Sequence, residues 1–163
     1  GLNADHVRLA EPRRRTNGRI VTDMLLRRTP RITMPEVEVE AYDLMIFIGP
    51  VWMGSVATPF RACFKDLGSR IGAYAFVSIS GGADGPNPKL AEELSQRLGK
   101  DPLALIDLHI ADLLPPEPKP VRKDTMAYRV TADDLERLTR EALTTLRQAA
   151  ASHEAASAPR VAA

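Results

Sequence analysis

Apolar residues along this chain follow two spacings, and the alternation between them predicts the order of elements. Short unbroken runs read as strands, and stretches with apolar residues every three or four positions read as helices. Asp5 to Leu9 reads as a short strand with Val7 and Leu9 on one face, ended by Glu11-Pro12. Asn17-Gly18 opens a helical stretch to Arg28, with Ile20, Val21, Met24 and Leu25 on one face, and Pro30 and Pro35 close that unit. Leu44-Met45-Ile46-Phe47-Ile48 is continuous and apolar, bounded by Asp43 and by Gly49-Pro50. A run without polar alternation predicts a strand buried on both faces, as inside a parallel sheet.

A helix is expected from Thr58, with Pro59 in its first turn and Phe60, Cys63, Phe64, Leu67 and Ile71 at helical spacing. Cys63 lies on that apolar face, which makes it a core residue rather than a nucleophile. Ala75 to Ile79 is the next buried strand, followed by the turn-rich Ser80-Gly81-Gly82-Ala83-Asp84-Gly85-Pro86. Leu90, Leu94 and Leu98 stripe another helix, which Gly99 ends. Leu103 to Leu108 is the last strand, and Leu114 to Met126, with Pro115, Pro116, Pro118 and Pro120, reads as an extended connection. Thr131 with Asp134 resembles a capping box for a final helix carrying Leu135, Leu138, Ala142 and Leu146. The Ala- and Ser-rich tail after Ala149 is expected to fray.

This β-α-β-α-β-α-β-α series implies an α/β fold, a parallel sheet with helices on both faces. Ligands of such sheets bind at the carboxyl ends of strands, near the point where strand order reverses. Two loops qualify, one starting at Gly49 and the other at Ser80. They are expected on one rim, facing one cleft.

Composition narrows the classes further. The chain has 163 residues, 44% hydrophobic and 26% charged, with a net charge of +1. That is one domain of ordinary soluble type, with no global pull toward nucleic acid. Aromatic content of 5% supplies no stacking platform for single strands either. The single cysteine allows no internal disulfide or Cys-based metal cluster, and no apolar run approaches a membrane span. The cytoplasm is the expected compartment. His6, His109 and His153 lack metal-ligand spacing and read as surface or strand-end residues. Arg8, Arg13, Arg14, Arg15, Arg19, Arg27, Arg28 and Arg31 crowd the first part of the chain, as a solvated face or a phosphate- or partner-binding surface.

The first loop is Gly49-Pro50-Val51-Trp52-Met53-Gly54-Ser55. Pro50 stiffens the strand exit, Gly54 permits close backbone approach, and Trp52 is either a packing residue or a wall for an aromatic ligand. In the second, Gly81-Gly82 is either a tight turn or a pair of bare N–H groups for a ligand's carbonyls and ring nitrogens.

The stretch from Tyr42 to Leu114 resembles the flavodoxin family, and its reductases more than its short electron shuttles. Tyr42-Asp43, then Gly49-Pro50-Val51-Trp52-Met53-Gly54, then Pro59 look like the family's first flavin loop, and Ser78-Ile79-Ser80-Gly81-Gly82 looks like the second. The resemblance implies a flavodoxin-like three-layer sandwich over residues 1–150, with a flexible tail at 151–163. It implies FMN as cofactor. Pro50, Val51, Trp52, Met53 and Gly54 would flank its ring, and Ser80, Gly81 and Gly82 would meet its polar edge, largely through backbone N–H. Electrons would pass between a donor such as NAD(P)H and a quinone or protein redox partner, making the chain an FMN-dependent oxidoreductase or electron-transfer protein.

The family's opening strand and its T-x-[ST]-G-x-[ST] phosphate turn have no counterpart. Asp5 to Leu9 is followed by Glu11-Pro12-Arg13 and matches the family's outer second strand better than its central first. Three arrangements follow: a β-α unit of roughly 25–30 residues precedes Gly1 in the natural protein, a partner chain fills the gap, or residues 5–9 take the central place. The first is expected. The predicted sheet therefore runs 44–48, 75–79, 103–108, with a position beside 44–48 that is empty or filled from outside, for example in a homodimer. The alternative function, of another class, is a non-enzymatic flavodoxin-fold module that has lost FMN and acts in assembly.

Overall fold

The computed structural model describes residues 4–9, 22, 32–33, 37–52 and 54–157. Within them the elements follow in this order: β1 (Met45–Ile48), β2 (Val51–Trp52), β3 (Ser55–Val56), α1 (Thr58–Leu67), β4 (Tyr74–Ser80) and α2 (Leu90–Leu98). Then come β5 (Ala104–His109), α3 (Arg122–Ala127) and α4 (Ala132–Ser157), with short 3-10 turns at Val39–Ala41 and Ile110–Leu113. β1, β4 and β5 form a parallel sheet in the order β1-β4-β5, while β2 and β3 make a separate antiparallel hairpin. Met45 stands opposite Tyr74, and Ala75 opposite Ala104, so the strands of all three core runs are adjacent and parallel as predicted.

Helices cover both faces, which makes three layers. On one face α1 and α2 bring Phe60, Cys63, Phe64, Leu67, Leu90, Leu94 and Leu98 against Phe47, Tyr74 and Phe76. On the other, Leu146 of α4, with Ala142 and Ala149 beside it, packs on Ala75, Val77, Ala104 and Ile106. The first core centres on Phe47, whose ring meets Phe64, Phe60 and Tyr74 edge-on at centroid distances of 4.9, 6.1 and 6.2 Å. Edge-to-face contacts of this kind add to the area the rings bury. Cys63 is buried in the same cluster, as its place on the helix predicted. Burial, with the Asp66 charge adding to it, pushes its thiol up to about 11.

Several sequence expectations are corrected. Residues 4–9 form no strand: Val7 is exposed, Leu9 alone of this segment packs on the core, and no strand pairs with the segment among the described residues. Two alternating apolar residues do not make a ladder without a partner edge. Of the helix expected over 17–28 only Thr22 is described, and it is helical; the rest, like most of the arginine cluster, lies outside the described residues. β1 is not buried on both faces, since Ile46 is 40% and Ile48 is 70% exposed. Phe47 turns toward α1, and α4 covers the opposite face only over β4 and β5.

At the other end, α3 occupies part of the stretch expected to be extended. It starts at Arg122, after the last of the prolines, and Asp124 accepts the Val121 N–H at 3.0 Å. α4 begins at the predicted cap. Thr131 N–H and hydroxyl donate to Asp134 at 2.9 and 2.7 Å, and the Asp134 N–H donates back to the Thr131 hydroxyl at 3.2 Å. Leu135 is exposed, so the buried stripe is Leu138 and Leu146 with Ala142 and Ala149 half-buried. The helix runs on to Ser157 past the expected end near Ala149, because Ala-rich sequence without Gly or Pro favours continuation. No helix among the described residues is long and apolar enough to cross a membrane.

Two measurements check this packing. Phe47→Ala should cost about 3–5 kcal/mol in chemical denaturation, the usual range for emptying a buried aromatic site. Cys63 should stay unlabelled by a thiol reagent at about pH 8, where a free cysteine would be partly thiolate, and react fully once the chain is unfolded in denaturant.

Candidate functional site

Because β1 and β4 run parallel, the loops that leave their carboxyl ends lie on the same rim of the sheet. The first loop begins with Gly49, whose N–H donates to the Val77 carbonyl at 3.0 Å and prolongs the β1–β4 ladder by one bond. A side chain at Gly49 would put its first carbon 2.1 Å from the Phe60 ring, so glycine is needed for close packing there. The chain then turns back on itself through β2 and β3, with Trp52 opposite Ser55 and Gly54 at φ 75° in the turn between them. Val51 is buried and Trp52 is half-buried against the first core. Pro50 and Gly54 are exposed, and Met53 lies outside the described residues. The hairpin is tied down from α2: the Val56 N–H donates to Glu93 at 3.0 Å, and Glu93 also pairs with Arg97 at 2.7 Å and lies 3.8 Å from Arg61.

The second loop starts at Ser80, which stands opposite His109 at the end of β5. Gly81 is exposed and its carbonyl accepts the Ala111 N–H at 3.0 Å. Gly82 has φ 70°, a conformation glycine adopts without the steric cost a Cβ would bring. The space is also closed: a carbon added at Gly82 would lie 2.3 Å from the His109 Cβ, and one at Gly81 would lie 3.1 Å from the Thr125 hydroxyl of α3. The Arg122–Asp84 pair at 2.7 Å joins α3 to this loop, but both side chains are largely exposed and contribute little.

Beneath the second loop sits a polar cluster centred on Asp107. Its Oδ1 accepts from the Ser78 hydroxyl at 2.6 Å. Its Oδ2 accepts from Asn87 Nδ2 at 2.7 Å, from the Asn87 backbone N–H at 3.3 Å, and from His109 Nε2 at 3.0 Å. Burial works against the charge on Asp107, yet the hydrogen bonds from Ser78, Asn87 and His109 together outweigh it and hold the carboxyl below its ordinary range. An ionised Asp107 only accepts, so the His109 ring carries its proton on Nε2. Nδ1 then points toward Asp112, 3.6 Å away.

The predicted site residues therefore divide. Pro50, Val51, Trp52 and Gly54 lie along one loop and Ser80, Gly81 and Gly82 along the other, on one rim. His109 was expected only as a strand-end residue. It is one, but it also packs against Gly82 and bonds Asp107. Asp107, inside the run expected as the last strand, was not among the expected site residues. The signal for both was present: Asp107 and His109 are two apart on one strand, so they share a face, and Ser78 falls opposite Asp107 in the parallel register.

No protein-family model matches the chain, and no curated protein matches it. Among solved structures, the chain is similar to a flavoprotein in complex with FMN from Lactobacillus acidophilus NCFM, at 22% identity and a TM-score of 0.45. The likeness covers 53% of this chain and 58% of that one.

The Asp107 cluster predicts an acid transition. Its folded pKa is lowered, so its bonds contribute stability above the unfolded value of about 3.9 and lose it as pH falls through the lower folded value. In urea unfolding measured from about pH 7 down to pH 2, Asp107→Asn should be less stable at neutral pH by about 1–3 kcal/mol. The difference should shrink toward zero at the acid end; a constant offset at every pH would contradict the assignment.

Proposed function

We propose that the chain binds a flavin, FMN, on the rim formed by the loops after β1 and β4, and that it serves redox chemistry. The observation that carries this reading is the juxtaposition of those two loops at the carboxyl ends of neighbouring parallel strands, the place where such sheets bind ligands. In this reading Pro50 to Gly54, with Trp52 at their centre, wall in the flat ring. Ser80, Gly81 and Gly82 present backbone N–H groups to its polar edge. The described loops suit the ring: Gly54 and Gly81 are open to solvent, and the backbone of each loop is pinned from below, by Glu93 in one case and by Ala111, His109 and Thr125 in the other.

The flavin, when bound, supplies the electron chemistry; the chain's own residues bind it, orient it and screen it from water. NAD(P)H would be the donor and a quinone or a protein partner the acceptor, in a homodimer. The lone buried Cys63 suits a reducing compartment such as the cytoplasm. The second reading is non-enzymatic: a flavodoxin-fold module that has lost FMN and acts in assembly.

Titration of the purified chain with FMN and with riboflavin decides between the two. The flavin reading predicts quenching of flavin fluorescence by both, with affinities within about tenfold of each other, or 1.4 kcal/mol, because ring contacts carry the binding. Trp52→Ala should weaken both about two- to tenfold, the worth of one aromatic contact. No quenching by either at high micromolar flavin would reject the reading and leave the assembly module.

A further inference from the structure

The geometry around Gly82 assigns a task to a residue that neither loop contains. We propose that His109 is the positioning residue of the Ser80–Gly82 loop, its ring cross-linking the end of β5 to the turn that holds Gly81. Three contacts meet there. The His109 side chain fills the space beside Gly82, so close that no Cβ fits. Its Nε2–H donates to Asp107, which fixes the ring on β5. Its Nδ1 faces Asp112 in the Ile110–Leu113 turn, and the same turn supplies the Ala111 N–H that holds the Gly81 carbonyl.

The ring is fixed before it meets the loop. Ser78 and Asn87 hold Asp107 in place, and Asp107 in turn holds the imidazole on β5. The Arg122–Asp84 pair ties α3 to the same loop, but both side chains are largely exposed and hold it weakly. The contact with Gly82 and the Ala111 bond to Gly81 thus act on neighbouring residues of the loop from one strand end. The consequence for ligand binding rests on the flavin reading, but the structural claim stands without it.

The test has two arms. In the ligand-free chain, NMR hydrogen exchange of the Ala111 amide is compared among variants at one pH, with the Leu103 amide, bonded to Tyr74 at the other end of the sheet, as the measure of global stability. His109→Ala should lower Ala111 protection about two- to tenfold relative to Leu103, the worth of about one hydrogen bond. His109→Gln keeps an N–H for Asp107 and part of the bulk beside Gly82, so it should restore part of that protection. Unchanged Ala111 protection in His109→Ala, or an equal loss at Ala111 and Leu103, overturns the proposal. In the second arm FMN is titrated, and affinity should fall in His109→Ala and recover in part in His109→Gln. If FMN binds no form of the chain, the flavin reading fails while the exchange data still decide the role of His109.

Discussion

β4 is hydrogen-bonded along both edges, to β1 on one side and to β5 on the other, and its first five residues are buried. A strand so enclosed must satisfy its backbone entirely through its neighbours, and this forces the register of everything attached to it. Its alternation then sorts the two cores. Tyr74 and Phe76 point into the aromatic layer under α1 and α2, while Ala75 and Val77 face α4. Large residues on one side fill a deep layer; small ones on the other let α4 approach through Ala142 and Ala149. Ser78 continues the Phe76 face by one step. There the apolar layer gives way to a polar one, directly beneath the candidate site.

That polar layer is organised by one charge. A carboxylate under a loop is unfavourable unless its lone pairs are filled, and Asp107 fills them from three segments. Ser78 comes from β4, Asn87 from the approach to α2, and His109 from β5 itself. The cluster therefore ties together the strand before the second loop, the chain after it and the strand beside it. A loop fixed on three sides keeps its backbone in one arrangement, and under the flavin reading that order would lower the entropy cost of binding. Its glycines follow from the same constraint. Gly82 has no room for a side chain because His109 occupies the space.

The strands and helices were legible because their signals are local. Leu44 to Ile48, Ala75 to Ile79 and Leu103 to Leu108 are short, mainly apolar runs between turn residues, and the observed strands differ from them by at most one residue at either end. Thr131 and Asp134, three apart in sequence, were readable as a cap for the same reason. The β2–β3 hairpin was missed because Val51-Trp52 and Ser55-Val56 are too short to show a period. The Asp107 cluster was missed because it depends on register across two strands, which no run along the sequence displays. Both faces of β1 looked alike in sequence, since a continuous apolar run cannot tell which of its sides a neighbour will cover.

β1 is where the two halves of the candidate site differ. The second loop leaves a strand held on both edges, whereas the first leaves a strand that pairs on one edge only among the described residues. Phe47 anchors β1 from one face through three aromatic contacts, but Ile46 and Ile48 on the other face remain largely open. Gly49-N–H to Val77 is the last ladder bond before the hairpin, and Glu93 of α2 holds the hairpin from beyond it. Trp52 is therefore positioned by its pairing with Ser55 in the hairpin, which α2 holds at Val56, and by packing on the first core. Whatever covers Ile46 and Ile48 would add apolar burial to β1 without touching Asp107. The rigidity of the two loops is thus set by separate interactions: buried aromatic packing and a helix carboxylate for one, a filled carboxylate and an imidazole for the other.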